Sequence, residues 1–161
     1  MSRTRCWLAL ASIVLCVAAC GASPVGPASL PSPSPSASTS KSPFAGNVFT
    51  FKLNPADSSV KSKGTITLTA GPNSTTVELK ITGLQASSSH ISHIHLGSCA
   101  GRGGIAFALN QVVADGQGTA DTKTTLNITY PPTGPKWYAV VHAGKNMQGT
   151  NSKYLLCGNL S

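Results

Sequence analysis

From Val48 onward the chain runs in short segments where apolar residues alternate with hydroxyl-bearing or charged ones. In Gly64-Thr65-Ile66-Thr67-Leu68-Thr69 the aliphatic side chains fall on one side and the threonines on the other. Gly71-Pro72-Asn73 turns the chain, and Thr76-Val77-Glu78-Leu79-Lys80-Ile81 alternates again, which predicts a hairpin. Val48-Phe49-Thr50-Phe51-Lys52-Leu53 precedes it and stops at Asn54-Pro55. Further strand-like runs cover 90–96, 105–109, 112–114, 118–125, 137–142 and 154–157. No window carries a helical stripe ending in a cap. Short strands separated by Gly, Pro and Asn turns predict an all-β domain over residues 44–161. The expected form is a Greek-key antiparallel barrel or sandwich of about eight strands.

The first 43 residues follow other patterns. Arg3 and Arg5 precede an apolar run from Trp7 to Ala19, too short for a comfortable membrane span and typical of an export signal over residues 1–19. Val17-Ala18-Ala19-Cys20-Gly21 resembles the lipobox of bacterial lipoproteins. In that family the peptide is cut before the cysteine, which then carries lipid. The resemblance implies lipidation of Cys20 and an exported protein held in the bacterial cell envelope, with the membrane as its partner. An ordinary signal peptide with an incidental Cys20 is the other reading. Six prolines among serines follow Cys20, with almost no large apolar residue, so residues 20–43 are expected to be a tether. Extended as polyproline II it reaches at most about 70 Å.

Charge changes the picture little. Lys and Arg number 12 against 4 Asp and Glu; without Arg3 and Arg5 the balance is 10 against 4, or +6. No dense basic block or interleaved aromatic run exists, which argues against nucleic acid as a partner. A positive field suits anionic envelope material and small anions, superoxide among them.

The candidate chemistry lies in His93-Ile94-His95-Leu96-Gly97-Ser98-Cys99. On a strand, His93 and His95 leave the same face with Cα atoms roughly 6.5–7 Å apart, a span two imidazoles can close on one metal ion. Ile94 and Leu96 would point to the core. His142, in Val140-Val141-His142, is a candidate third ligand, sharing a face with Tyr138 and Val140 opposite the apolar face of Trp137, Ala139 and Val141. Imidazole suits Cu, Zn, Fe and Ni alike, so ligand type alone does not choose the metal. His90 is expected on the opposite face from His93, as a loop residue. Cys6 and Cys16 belong to the signal and Cys20 to the lipobox, leaving Cys99 and Cys157 as an even pair. Outside the cytosol such a pair is usually a disulfide, with two separate buried thiols as the alternative. Gly101-Arg102-Gly103-Gly104 has no following helix and is expected within a short glycine loop, where Arg102 could draw in an anion.

Taken together these residues resemble the copper–zinc superoxide dismutase superfamily and the related CHRD domains. Besides the histidine and cysteine motifs, Gly64-Thr65-Ile66-Thr67 with Ile81-Thr82-Gly83-Leu84, Val113-Ala114-Asp115-Gly116, and Leu156-Cys157-Gly158 carry the likeness over most of residues 45–161. The resemblance implies an eight-stranded barrel, a Cys99–Cys157 disulfide, and copper on the outer wall held by His93, His95 and His142. It also exposes departures. The long loop that carries the zinc ligands and bridging histidine is missing, so zinc is not expected, and the fourth copper ligand is absent. Asp115 and Asp121 are expected as turn residues. The arginine that guides the anion in dismutases falls at Tyr154, with Lys153 beside it as an electrostatic substitute lacking the guanidinium fork. The expected function is therefore copper handling or superoxide dismutation at the envelope, with catalysis left open by these residues. The alternative is a non-catalytic CHRD-like structural or interaction domain without metal.

Overall fold

The computed structural model describes residues 43–161; the expected export signal, Cys20 and all of the expected tether but Pro43 lie outside the described residues. Among the described residues ten strands form in chain order: β1 Val48–Pro55, β2 Lys63–Ala70, β3 Thr75–Thr82, β4 Ser89–His90, β5 Ser92–Gly97, β6 Arg102–Ala108, β7 Val112–Val113, β8 Ala120–Leu126, β9 Trp137–His142 and β10 Tyr154–Asn159. Eight of them make one curled antiparallel sheet in the order β6-β5-β9-β10-β1-β2-β3-β8, and β4 pairs with β7 in a separate ribbon. The two ends of the sheet meet where Asn110 bonds Thr124 Oγ1 through its backbone N–H (2.8 Å) and the Lys123 carbonyl through its side-chain amide (2.7 Å).

Period-2 alternation builds the core. Ile66, Leu68, Val77, Leu79 and Ile81 point inward from the β2–β3 hairpin and meet Ile94, Ala139, Val141 and Leu156 from the other half. All are essentially inaccessible, each worth about 1.5–3 kcal/mol for a large side chain. Phe107 packs edge-on against Trp137 with ring centroids 5.2 Å apart. Phe49 and Phe51 meet Tyr130, whose hydroxyl donates to the Leu160 carbonyl.

Several local expectations change. Leu96 is exposed rather than in the core, because it lies where β5 runs out toward Gly97 and the turn to β6. The glycine loop is only residues 98–101, since β6 starts at Arg102 and pairs Gly97 with it. His90 is a buried strand residue opposite Val112, not a loop residue. Asp115 does shape a turn, accepting from the backbone N–H groups of Gln117 and Thr119, but Asp121 sits on β8 and pairs with Lys80 at 2.5 Å.

Candidate metal centre

His93 and His95 leave β5 on one face, and β9 lies beside it with His93 opposite Val140 and His95 opposite Tyr138. β10 follows, and its Tyr154 stands directly opposite His142 before a bulge shifts the register to Leu156–Val141. This bulge and two others between β5 and β6 re-aim side chains toward one point, a common use of an unpaired residue. His93, His95 and His142 are brought together so that one nitrogen from each lies within 4.8 Å of the others. Imidazole nitrogens around one ion at about 2.0–2.1 Å are separated by at most about 4 Å, so the rings need draw in by less than about 1 Å.

Hydrogen bonds decide which nitrogen each ring offers. His142 Nδ1–H donates to the Ser152 carbonyl (2.8 Å) and His95 Nδ1–H to the Gly103 carbonyl (3.1 Å). A carbonyl only accepts, so both rings keep a bare Nε2 lone pair. His95 Nε2 is buried and has no hydrogen-bond partner, an orphaned acceptor of the kind a metal would satisfy. His93 presents Nδ1, 3.2 Å from His142 Nε2, and donates to it in the metal-free site. The donor set of two Nε2 and one Nδ1 fits a single imidazole-binding metal ion.

The electrostatics favour neutral rings. Burial, and then the neighbouring His142 and His95, hold His93 down to about 4. Burial also lowers His142, against an opposing pull from its bond to Ser152. Neutral imidazole is the ligating form, so proton competition is weak at neutral pH.

Although His142 sits on the outward face of the sheet, it is fully buried. A second small cluster covers that face: Tyr138, Val140 and the Cys99–Cys157 disulfide, with Tyr154 packed against them. The disulfide joins the β5–β6 turn to β10, with Cα atoms 6.0 Å apart. Cys99 N–H also donates to Asn159 Oδ1 at 2.9 Å, a second tie between the same segments. Tyr138 stacks on His95 at 5.0 Å, and Tyr154 meets His142 edge-on at 5.4 Å. The two phenols are hydrogen-bonded at 3.1 Å, and burial followed by that bond raises Tyr154 to about 12.

Arg102 places its guanidinium carbon 4.5 Å from the Tyr154 ring centroid, a cation–π contact beside the histidines. The position where the resemblance expects an arginine thus holds an aromatic platform, and the cation reaches it from β6. Lys153 is exposed, accepts from Ala143 N–H through its carbonyl, and lies near enough to Asp57 to help lower that carboxyl, though Ser59 hydrogen bonds do more. His90 backs the site without joining the cluster: its Nδ1–H donates to the His142 carbonyl (2.9 Å) and its Nε2 meets Ser88 Oγ (2.8 Å). Sequence reasoning missed Tyr138 and Tyr154 as walls. Their only signal is that both share the period-2 face of His142, directly or across the β9–β10 pair.

No protein-family model and no curated protein matches this chain. Among solved structures it is similar to a SOD-like protein from Bacillus subtilis, with a TM-score of 0.56 and 14% sequence identity, covering 70% of this chain and 97% of that one. That likeness establishes a SOD-like fold.

Proposed function

We propose that this chain is an exported lipoprotein, anchored in the bacterial envelope through lipid on Cys20, whose domain binds one copper ion through His93, His95 and His142. Its role is copper handling, with superoxide dismutation as the further activity such a site allows. The observation that carries the reading is the convergence of three imidazole nitrogens, two of them with lone pairs directed by backbone carbonyls and one of those two buried without any partner. Copper held there would supply one-electron redox chemistry. The chain's own residues hold His93 and His142 neutral, exclude water with Tyr138 and Tyr154, and place the Arg102 charge where it draws in a small anion. Lys153 adds to the same positive field.

Metal analysis of the purified full chain tests this. One copper per chain is expected, falling below a tenth in His93→Ala and His142→Ala. No stoichiometric copper, or copper retained by both variants, overturns the reading. Superoxide removal no faster than that of free aqueous copper makes the domain a binding module rather than an enzyme. The alternative, a metal-free CHRD-like domain whose histidines only tie strands together, leaves His95 Nε2 buried and unpaired, at a cost of about 1–3 kcal/mol.

A further inference from the structure

A separate feature lies at one end of β1, β2, β3 and β8, where outward and inward rows both contribute, away from the histidines. A cavity of about 810 Å³ is walled there by Lys52, Lys61, Lys63 and Lys80, with Thr65 and Asp121 among its other lining residues. The strand register explains the convergence. Lys52, Thr65, Lys80 and Asp121 form one row across the sheet, and Lys63 stands opposite Thr82 in the next outward row. Lys52 and Lys63 are therefore diagonal neighbours on adjacent strands, with side chains leaving the same face about 7–8 Å apart.

Lys80 is already neutralised, at 3.1 Å from Glu78 and 2.5 Å from Asp121. Lys52, Lys61 and Lys63 form no ion pair among the described residues. Lys52 and Lys63 on the sheet and Lys61 just before β2 thus place three uncompensated ammoniums around one concavity, a positive field that draws in an anionic ligand.

The lining also describes the ligand. A volume of this size falls within the range of about 300–1,000 Å³ usual for ligand sites. The cavity's cations are all lysines, mobile point charges of a kind that commonly bind phosphate. The aliphatic stems of the lysines, with Leu53, Pro55 and Ile81, make the walls largely apolar, and Ser62, Thr65, Thr82 and Thr119 add hydroxyls among the charges. Lys52 and Lys63 leave the sheet about 7–8 Å apart, with Lys61 on the segment before β2, a spread that linked phosphates span better than a single one. We propose that this groove binds a chain of linked phosphates, with Lys52, Lys61 and Lys63 each facing a phosphate group. The concave shape favours a linear polymer over the flat surface of a lipid bilayer.

Inorganic tripolyphosphate is the probe, titrated calorimetrically into the full chain at physiological salt. Saturable binding of one tripolyphosphate per chain is expected. The exposed pair Lys52→Ala with Lys63→Ala should weaken it at least tenfold, with melting temperature unchanged. Lys136→Ala with Lys145→Ala removes the same charge from exposed sites outside the groove and should weaken it less than threefold. Equal loss in the two double variants, or no saturable binding, overturns the proposal. So does binding to phosphatidylglycerol vesicles without binding to tripolyphosphate, which would assign the lysines to a membrane surface instead.

Discussion

Strands β1, β2, β3 and β8 pair residue for residue with no shift of register, whereas the β5, β6, β9 and β10 half contains three irregularities, all beside His95 or Tyr154. The outward faces differ too. In the regular half it carries Thr, Lys and Glu in the open, while in the other half His142, Tyr138 and Val140 are completely covered. The regular half maximises the ladder and keeps polar groups in water. The irregular half gives up ladder regularity to bury a polar cluster, and must satisfy each buried group by carbonyls, phenols or a bound ion. One sheet thus combines a scaffold with a site.

The largest way to break this contrast is to unpin the irregular half. Cys99→Ser with Cys157→Ser opens a link spanning 58 residues, and about 4 kcal/mol of stability is expected to go. Amide exchange should rise first in 92–108 and 137–159 while β2 and β3 stay protected. Uniform loss across both halves would show that they do not differ in local stability.

A smaller effect isolates one bulge. A Cβ at Gly103 would lie 1.9 Å from the Leu96 carbonyl oxygen, whereas Gly104 has nothing within 4 Å. Gly103→Ala must push β6 away from β5 and loosen the carbonyl that orients His95, costing about 2 kcal/mol. Copper affinity should drop more than tenfold in Gly103→Ala and stay within twofold of wild type in Gly104→Ala, as read by competition with a chromogenic chelator.

The smallest effect is a pH slope. His93 titrates near 4 in the fold and near 6.5 when unfolded, so between these values the unfolded chain holds more protons. The stability of the metal-free protein therefore falls as pH is lowered from about 6.5 toward 4, and is level above that window. Urea melts across pH 4–8 would show it, and His93→Gln should flatten the slope while leaving the regular half unchanged.

The same contrast explains what the sequence made legible. Alternation of Thr with Ile or Leu in 64–69 can be read directly, because a regular strand with one wet face writes its geometry into its residues. His-x-His and the leftover cysteine pair were legible for the same reason: period 2 and even count are local rules. Leu96, His90 and Asp121 were misplaced because their surroundings are set by strand ends, a two-residue ribbon and a cross-strand ion pair, none of them encoded in neighbouring residues. Tyr154 is the clearest case. Its role depends on Arg102 arriving from a strand 52 positions earlier and on a bulge one residue later.

The carbonyls of Gly103 and Ser152 have one more consequence. They leave two of the three rings in the form needed to coordinate, so only His93 must change when an ion enters. Its hydrogen has to leave Nδ1, and the other nitrogen of the same half-buried ring can take it up from solvent. Loading at neutral pH then exchanges one tautomer for another and releases no net proton, so the affinity should be nearly independent of buffer pH around 7 and the heat of loading nearly independent of the buffer's ionisation enthalpy.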